Sequence, residues 1–120
     1  MFFTSNEKLA IIRVADMMIR ADGKSEPIEL LGCAAVLQKI NITPTECDKA
    51  NSFSGMDALW SIYRMDNEKK KFVCAFLGYL MTIDGDVDHT ELALWNLISS
   101  LCELPTMTTG EAIKEIQAIL

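Results

Sequence analysis

The sequence predicts an all-α fold: a single domain, residues 1–120, built as a bundle of about seven helices with an internal repeat of helical hairpins. Three observations carry that reading. Helix-start signals recur along the chain, no run alternates apolar and polar residues as a half-buried strand does, and one pattern of helix, acidic turn and helix occurs twice. With 120 residues, half of them hydrophobic and 23% charged, the chain is long enough to bury a core without disulfide or metal staples.

The elements follow in order. Thr4 with Glu7 reads as a capping box, in which the N-cap oxygen and a carboxylate three residues on satisfy each other's backbone donors, and it opens a helix over 5–21. A second helix is expected over 27–40, with Glu26 at the N-cap, Pro27 just inside and Glu29 in the first turn. Thr43 with Glu46 is another box, and Pro44 at the first helical position strengthens a short helix over 44–50. Ser54 with Asp57 opens 55–64, and Asp66 caps 67–83. Asp88 with Glu91 and Thr108 with Glu111 read as boxes opening 89–102 and 109–119. Leu9, Ile12, Val14, Met17 and Met18 give the first helix a broad apolar stripe. The fifth carries Phe72, Val73, Phe76, Leu77, Leu80 and Met81, apolar nearly all round, which places it at the centre of the bundle.

A shift of 62 positions lays Asp22-Gly23 on Asp84-Gly85, Glu26 on Asp88 and Glu29 on Glu91, so "ADGKSEPIEL" matches "IDGDVDHTEL" in the pattern DGxxxxxEL. Upstream, Ile11, Val14, Met18 and Ile19 fall on Val73, Phe76, Leu80 and Met81. Downstream, Val36 falls on Ile98 and Ile42 on Leu104. The halves, approximately 5–43 and 67–105, are each a helix, an acidic turn and a second helix. Two copies of one unit predict pseudo-symmetric packing.

A helix ending in DG, a short acidic turn and "EL" opening a second helix, twice in one small chain, resembles the TerB-like family, which takes its name from a tellurite-resistance protein. The resemblance runs from the first helix to about Pro105, and "IDGDVDHTELALWNLISSLCELP" carries it most sharply. The first copy departs from it with Lys24 where the second has Asp86, and with Pro27 inside the helix. The resemblance implies an all-α fold and an association with oxyanion or metal stress and with membrane-linked complexes. It implies no defined catalytic activity.

Two readings of the acidic turns stand side by side. In the first, Gly23 and Gly85 adopt the left-handed conformation that ends a helix, and Glu26, Glu29, Asp88 and Glu91 satisfy helix N-termini, where the dipole favours negative charge by ~0.3–1 kcal/mol each. That leaves Asp84, at a helix C-terminus where the dipole disfavours an anion, and Asp86 in the same loop. In the second reading a divalent cation, calcium or magnesium, relieves the crowding, because carboxylates on a loop form a hard oxygen site. Its candidate ligands are Asp22, Glu29, Asp84, Asp86, Asp88 and Glu91. The loop is not an EF-hand. With Asp84, Asp86 and Asp88 as positions 1, 3 and 5, His89 falls where Gly is needed and Trp95 where a bidentate Glu is needed. A site here has to be built differently, and carboxylates from both repeats are one way to build it.

Seventeen acidic against eleven basic residues give a charge of −6, which argues against a nucleic-acid surface and leaves metal cations and basic protein surfaces as partners. Cys33, Cys47, Cys74 and Cys102 form no CxxC pair, and three of them sit in apolar helical stretches as buried thiols do. The opening "MFFTSNEKLA" has no basic n-region, and no apolar stretch approaches the ~20 residues of a bilayer span, so a cytoplasmic location and at most a peripheral membrane association are expected. His89, the single histidine, has no cysteine or nucleophile near it in sequence, and no P-loop, GxGxxG, HExxH or GxSxG is present. A non-enzymatic binding module is therefore expected, with a homo-oligomeric or protein-interaction scaffold as the alternative. Trp95, whose repeat counterpart is Cys33, is expected in the core, as are Met17, Met18, Met65 and Met81.

Overall fold

Seven helices form where the start signals fall: α1 (Ser5–Arg20), α2 (Pro27–Lys39), α3 (Pro44–Ala50), α4 (Gly55–Tyr63), α5 (Asn67–Thr82), α6 (His89–Leu101) and α7 (Thr109–Ile119). The computed structural model describes residues 2–23, 26–85 and 87–120, and among these no strand occurs. Three reciprocal capping boxes are made, at Thr4–Glu7, Thr43–Glu46 and Thr108–Glu111. Ser54 and Asp66 cap as expected, accepting from the backbone N–H groups of Asp57 and Lys69 at 3.0 and 2.9 Å.

The repeat is written into the backbone. Under the shift of 62, the limits of α1 fall on those of α5 and the limits of α2 on those of α6. Gly23 and Gly85, at φ 79° and 81°, end the first helix of each pair, their N–H groups bonded to the carbonyls of Arg20 and Thr82. Asn41 and Glu103, at φ 61° and 54°, end the second helix of each pair. There Ile42 N–H reaches back to Leu37 and Leu104 N–H to Ser99, the six-to-one bond of a Schellman stop.

α5 lies at the centre, with ten of its sixteen residues buried, Phe76, Leu77, Leu80 and Met81 among them. It packs against α1, α2, α4, α6 and α7. The whole is one globule with a radius of gyration of 12.8 Å. On α1 the buried face is centred on Ala10, Ile11, Val14, Ala15, Met18 and Ile19, whereas Leu9, Ile12 and Met17 of the expected stripe are only half-buried. Ala10 and Ala15 are fully withdrawn from solvent, and a small residue is a weak signal in a hydrophobic pattern.

The two halves touch at equivalent positions. Glu7 and Lys69 are 62 apart, and their side chains meet at 2.8 Å. Contact between equivalent residues is the signature of a local two-fold axis.

Gly78 sets the approach of α7 and α6 to α5. A Cβ there would stand 2.8 Å from both Ala112 Cβ and Trp95 Cζ2. Gly78→Ala gains about 1 kcal/mol of helix propensity but overpacks two rigid neighbours, at ~1–3 kcal/mol. We expect a net loss of stability in urea unfolding; a gain would show that α7 can yield at no cost.

Candidate functional site

The site is built from the first turns of α2 and α6. Glu29 and Glu91 are the third residues of these helices, and both are withdrawn from solvent, at 1% and 2% exposure. Neither serves as a cap. Glu26, at the N-cap of α2, makes no side-chain cap bond, and Asp88, at the N-cap of α6, accepts from Thr90 N–H at 2.8 Å. The expected Asp88–Glu91 box is therefore not formed, because the Glu91 side chain turns inward instead of folding back over its own N-terminus. Both carboxylate oxygens of Glu29 and Oε2 of Glu91 are buried without a hydrogen-bond partner. This corrects the reading in which capping accounts for these glutamates. An uncompensated buried carboxylate is costly, and it ordinarily shifts its pKa or acquires a cation.

The electrostatics show that the two acidic turns are neighbours. Burial and then the negative charges of Asp84, Asp22 and Glu26 push Glu29 up to about 7. Burial and then Glu29, Asp22, Asp84 and Asp88 push Glu91 up to about 7. Each glutamate thus feels the aspartate of the other repeat more strongly than an acid of its own, and no lysine or arginine offsets them. Packing agrees. Gly32, one turn beyond Glu29, is pressed against the side chain of Ile83, the residue before Asp84.

Asp22 is half-buried and Asp84 exposed, and both make interactions of their own. Asp88 is half-buried, its carboxyl held below the ordinary range by the Thr90 N–H. Asp86 lies outside the described residues. The structure thus brings Asp22, Glu29, Asp84 and Glu91 into one electrostatic cluster with Asp88 at its edge. Among the described residues no group of three or more His, Cys, Asp or Glu side chains is placed to hold a metal ion. His89 is exposed, and Cys33, Cys74 and Cys102 are buried free thiols. Trp95 is in the core as expected, its indole Nε1 donating to the Cys74 carbonyl at 3.1 Å.

Fold and site together define a duplicated helical hairpin whose two acidic turns act electrostatically on two buried glutamates, one from each repeat. The chain is 42% identical to a protein of unknown function from Porphyromonas gingivalis, whose crystal structure it matches with a TM-score of 0.85 over 98% of this chain and 92% of that one. It belongs to the same family as that protein. No protein-family model matches the chain, and no curated protein does. No described helix is long and apolar enough to cross a membrane.

The raised glutamates fix the sign of a pH effect. Between their ordinary range, about 4.3, and their folded values near 7, the folded state holds protons that the unfolded chain has released. Their contribution is fully present at the acid end and is lost as pH rises through 7. Glu7 and Glu46, held low by the Lys69 side chain and the Thr43 backbone among other contacts, act oppositely, but only below the ordinary carboxylate range. In chelator-treated buffer Tm is therefore expected to rise by several degrees between pH 7.5 and 5.5. A Glu29→Gln/Glu91→Gln double variant should flatten that rise. A Tm that falls over this interval would mean the pair is solvated after all.

Proposed function

We propose that the chain is a non-enzymatic binding module for a divalent cation, held between its two acidic turns. One observation carries the reading: two glutamates at equivalent positions of the repeat are buried with unpartnered oxygens, within reach of one another's charge. Beside the axis the halves present a second equivalent pair, Glu7 and Lys69, whose opposite charges satisfy each other. Two like charges at such a position need a third body. Carboxylate oxygens alone favour calcium or magnesium over a thiophilic metal. Glu29 and Glu91 would be the inner ligands, with Asp22 and Asp84 drawn in from the rims and the turns closing as the cation enters. Asp86 and Asp88 are the outer candidates. Kinship with the TerB-like family, and with it a place in stress-response or membrane-linked complexes, rests on the DGxxxxxEL repeat alone.

The exposed apolar side chains favour a second reading, a protein-interaction or homo-oligomeric scaffold. Met56 and Trp60 on α4 are 77% and 60% exposed, and Trp60 stacks on Tyr63 with ring centroids 5.6 Å apart. Exposed Trp and Tyr are common interface anchors.

Calcium and magnesium titrations of chelator-stripped protein at pH 7.5 separate the two. On the cation reading Tm rises with metal concentration as mass action requires, and protons are released on binding. Glu29→Gln abolishes the response while making the metal-free protein more stable at that pH, since it removes a buried charge. A flat Tm at millimolar metal, with Glu29→Gln indistinguishable from the parent, would reject the cation reading. The scaffold reading instead expects self-association indifferent to chelator and lost in Trp60→Ser.

A further inference from the structure

The two halves differ at one junction. In the second half the Trp95 indole of α6 lies over Gly78 of α5 and donates to the Cys74 carbonyl. The equivalent residues of the first half are Cys33, Asp16 and Ile12. A thiol stands where the other half has an indole, and a cleft of about 680 Å³ opens there between α1, α2 and α3, with all three of these residues in its lining. That volume is within the range of small-molecule sites, about 300–1,000 Å³. Buried Ile19, Cys33 and Ala50 form the floor, and Leu30, half-exposed, overhangs one side.

The rim is basic in an acidic protein. Arg13 and Arg20 line the cleft against a single carboxylate, Asp16, so its lining carries a net positive charge while the chain carries −6. Asp16 takes the Nε–H of Arg20 at 2.7 Å and lies 3.8 Å from Nη1 of Arg13. Arg13 Nε donates to the Phe53 carbonyl at 3.1 Å, which ties that side chain to the scaffold. Arg20 is 72% exposed, and a guanidinium has five N–H donors, so its outer edge remains available to an incoming anion.

We propose that this cleft binds a small carboxylate with an apolar body. The body lies on the floor of Ile19, Cys33 and Ala50, and the carboxylate meets Arg20. The apolar floor indicates one end of the ligand, and the Arg13–Asp16–Arg20 cluster indicates the charge of the other. The inference is independent of the acidic pair.

The test is an NMR titration with three probes of one ring and different charge: indolepropionate, neutral skatole and cationic tryptamine. Indolepropionate is expected to saturate with shifts at Ile12, Ile19 and Leu30, about tenfold tighter than skatole for one charge-assisted contact, with tryptamine weakest. Arg20→Gln should bring indolepropionate down to the level of skatole and leave skatole unchanged. Cys33→Trp, which places an indole in the floor of the cleft, should abolish binding of all three; if that variant does not fold, Arg20→Gln and the probe order decide alone. Absence of saturation by indolepropionate, tryptamine binding as tightly, or shifts mapping away from the cleft would each overturn the proposal.

Discussion

The burial of α5 is the constraint on which the rest of the structure depends. A helix apolar nearly all round cannot lie on a surface, so α1, α2, α4, α6 and α7 must surround it. How closely they do so is set by small residues. Gly78 admits Ala112 and the edge of Trp95, and Ala10 and Ala15 let α1 come near its neighbours. Because α1 and α5 are the same helix of a repeated hairpin, covering α5 also brings the two hairpins together about a local axis. Equivalent residues then face each other.

That geometry has an electrostatic consequence. Across a two-fold axis, any charge meets its own kind unless the two copies differ. At Glu7 and Lys69 they differ, and an ion pair results. At Glu29 and Glu91 they do not, and two carboxylates are withdrawn from water within range of the charges of Asp22 and Asp84. In a low-dielectric setting such a pair does not stay fully ionised near neutral pH. On the cation proposal, protons and metal would compete for the same oxygens, and occupancy would be tied to pH as well as to metal concentration.

Much of this was legible in the sequence, and the reasons for what was not are specific. Helix positions could be read because capping residues act locally, and each of the seven starts was marked by an N-cap residue or a first-turn proline. The repeat could be read because Asp-Gly and the apolar positions recur at a fixed spacing. The orientation of Glu91 could not. A serine, threonine or aspartate three residues before a glutamate fits a capping box whichever way the glutamate turns, and the face of the first turn that meets another helix is a tertiary fact. Nor does one chain reveal that two copies of a motif touch, since the same pattern suits hairpins packed side by side or end to end. The left-handed stop at Asn41 had a signal in the residue itself. Its counterpart Glu103 had none, and only the repeat register finds it.

Duplication also lets corresponding spaces of the two halves be compared. Two copies of a hairpin enclose similar spaces, and each space must be filled by side chains or left to solvent and ligands. In the second half Trp95 and Ala112 close over Gly78, and a buried hydrogen bond from the indole to the Cys74 carbonyl holds the ring in place. In the first half Cys33 is too small to do so, and Asp16, where the second half has glycine, draws Arg13 and Arg20 to the opening. An apolar space that existed only through loose packing would be expected to have an undistinguished rim. This one has two guanidinium groups sharing a single carboxylate, in a chain otherwise rich in acid. The asymmetry between the halves therefore concerns charge as much as volume, and a ligand that reads both must join an apolar body to an anion.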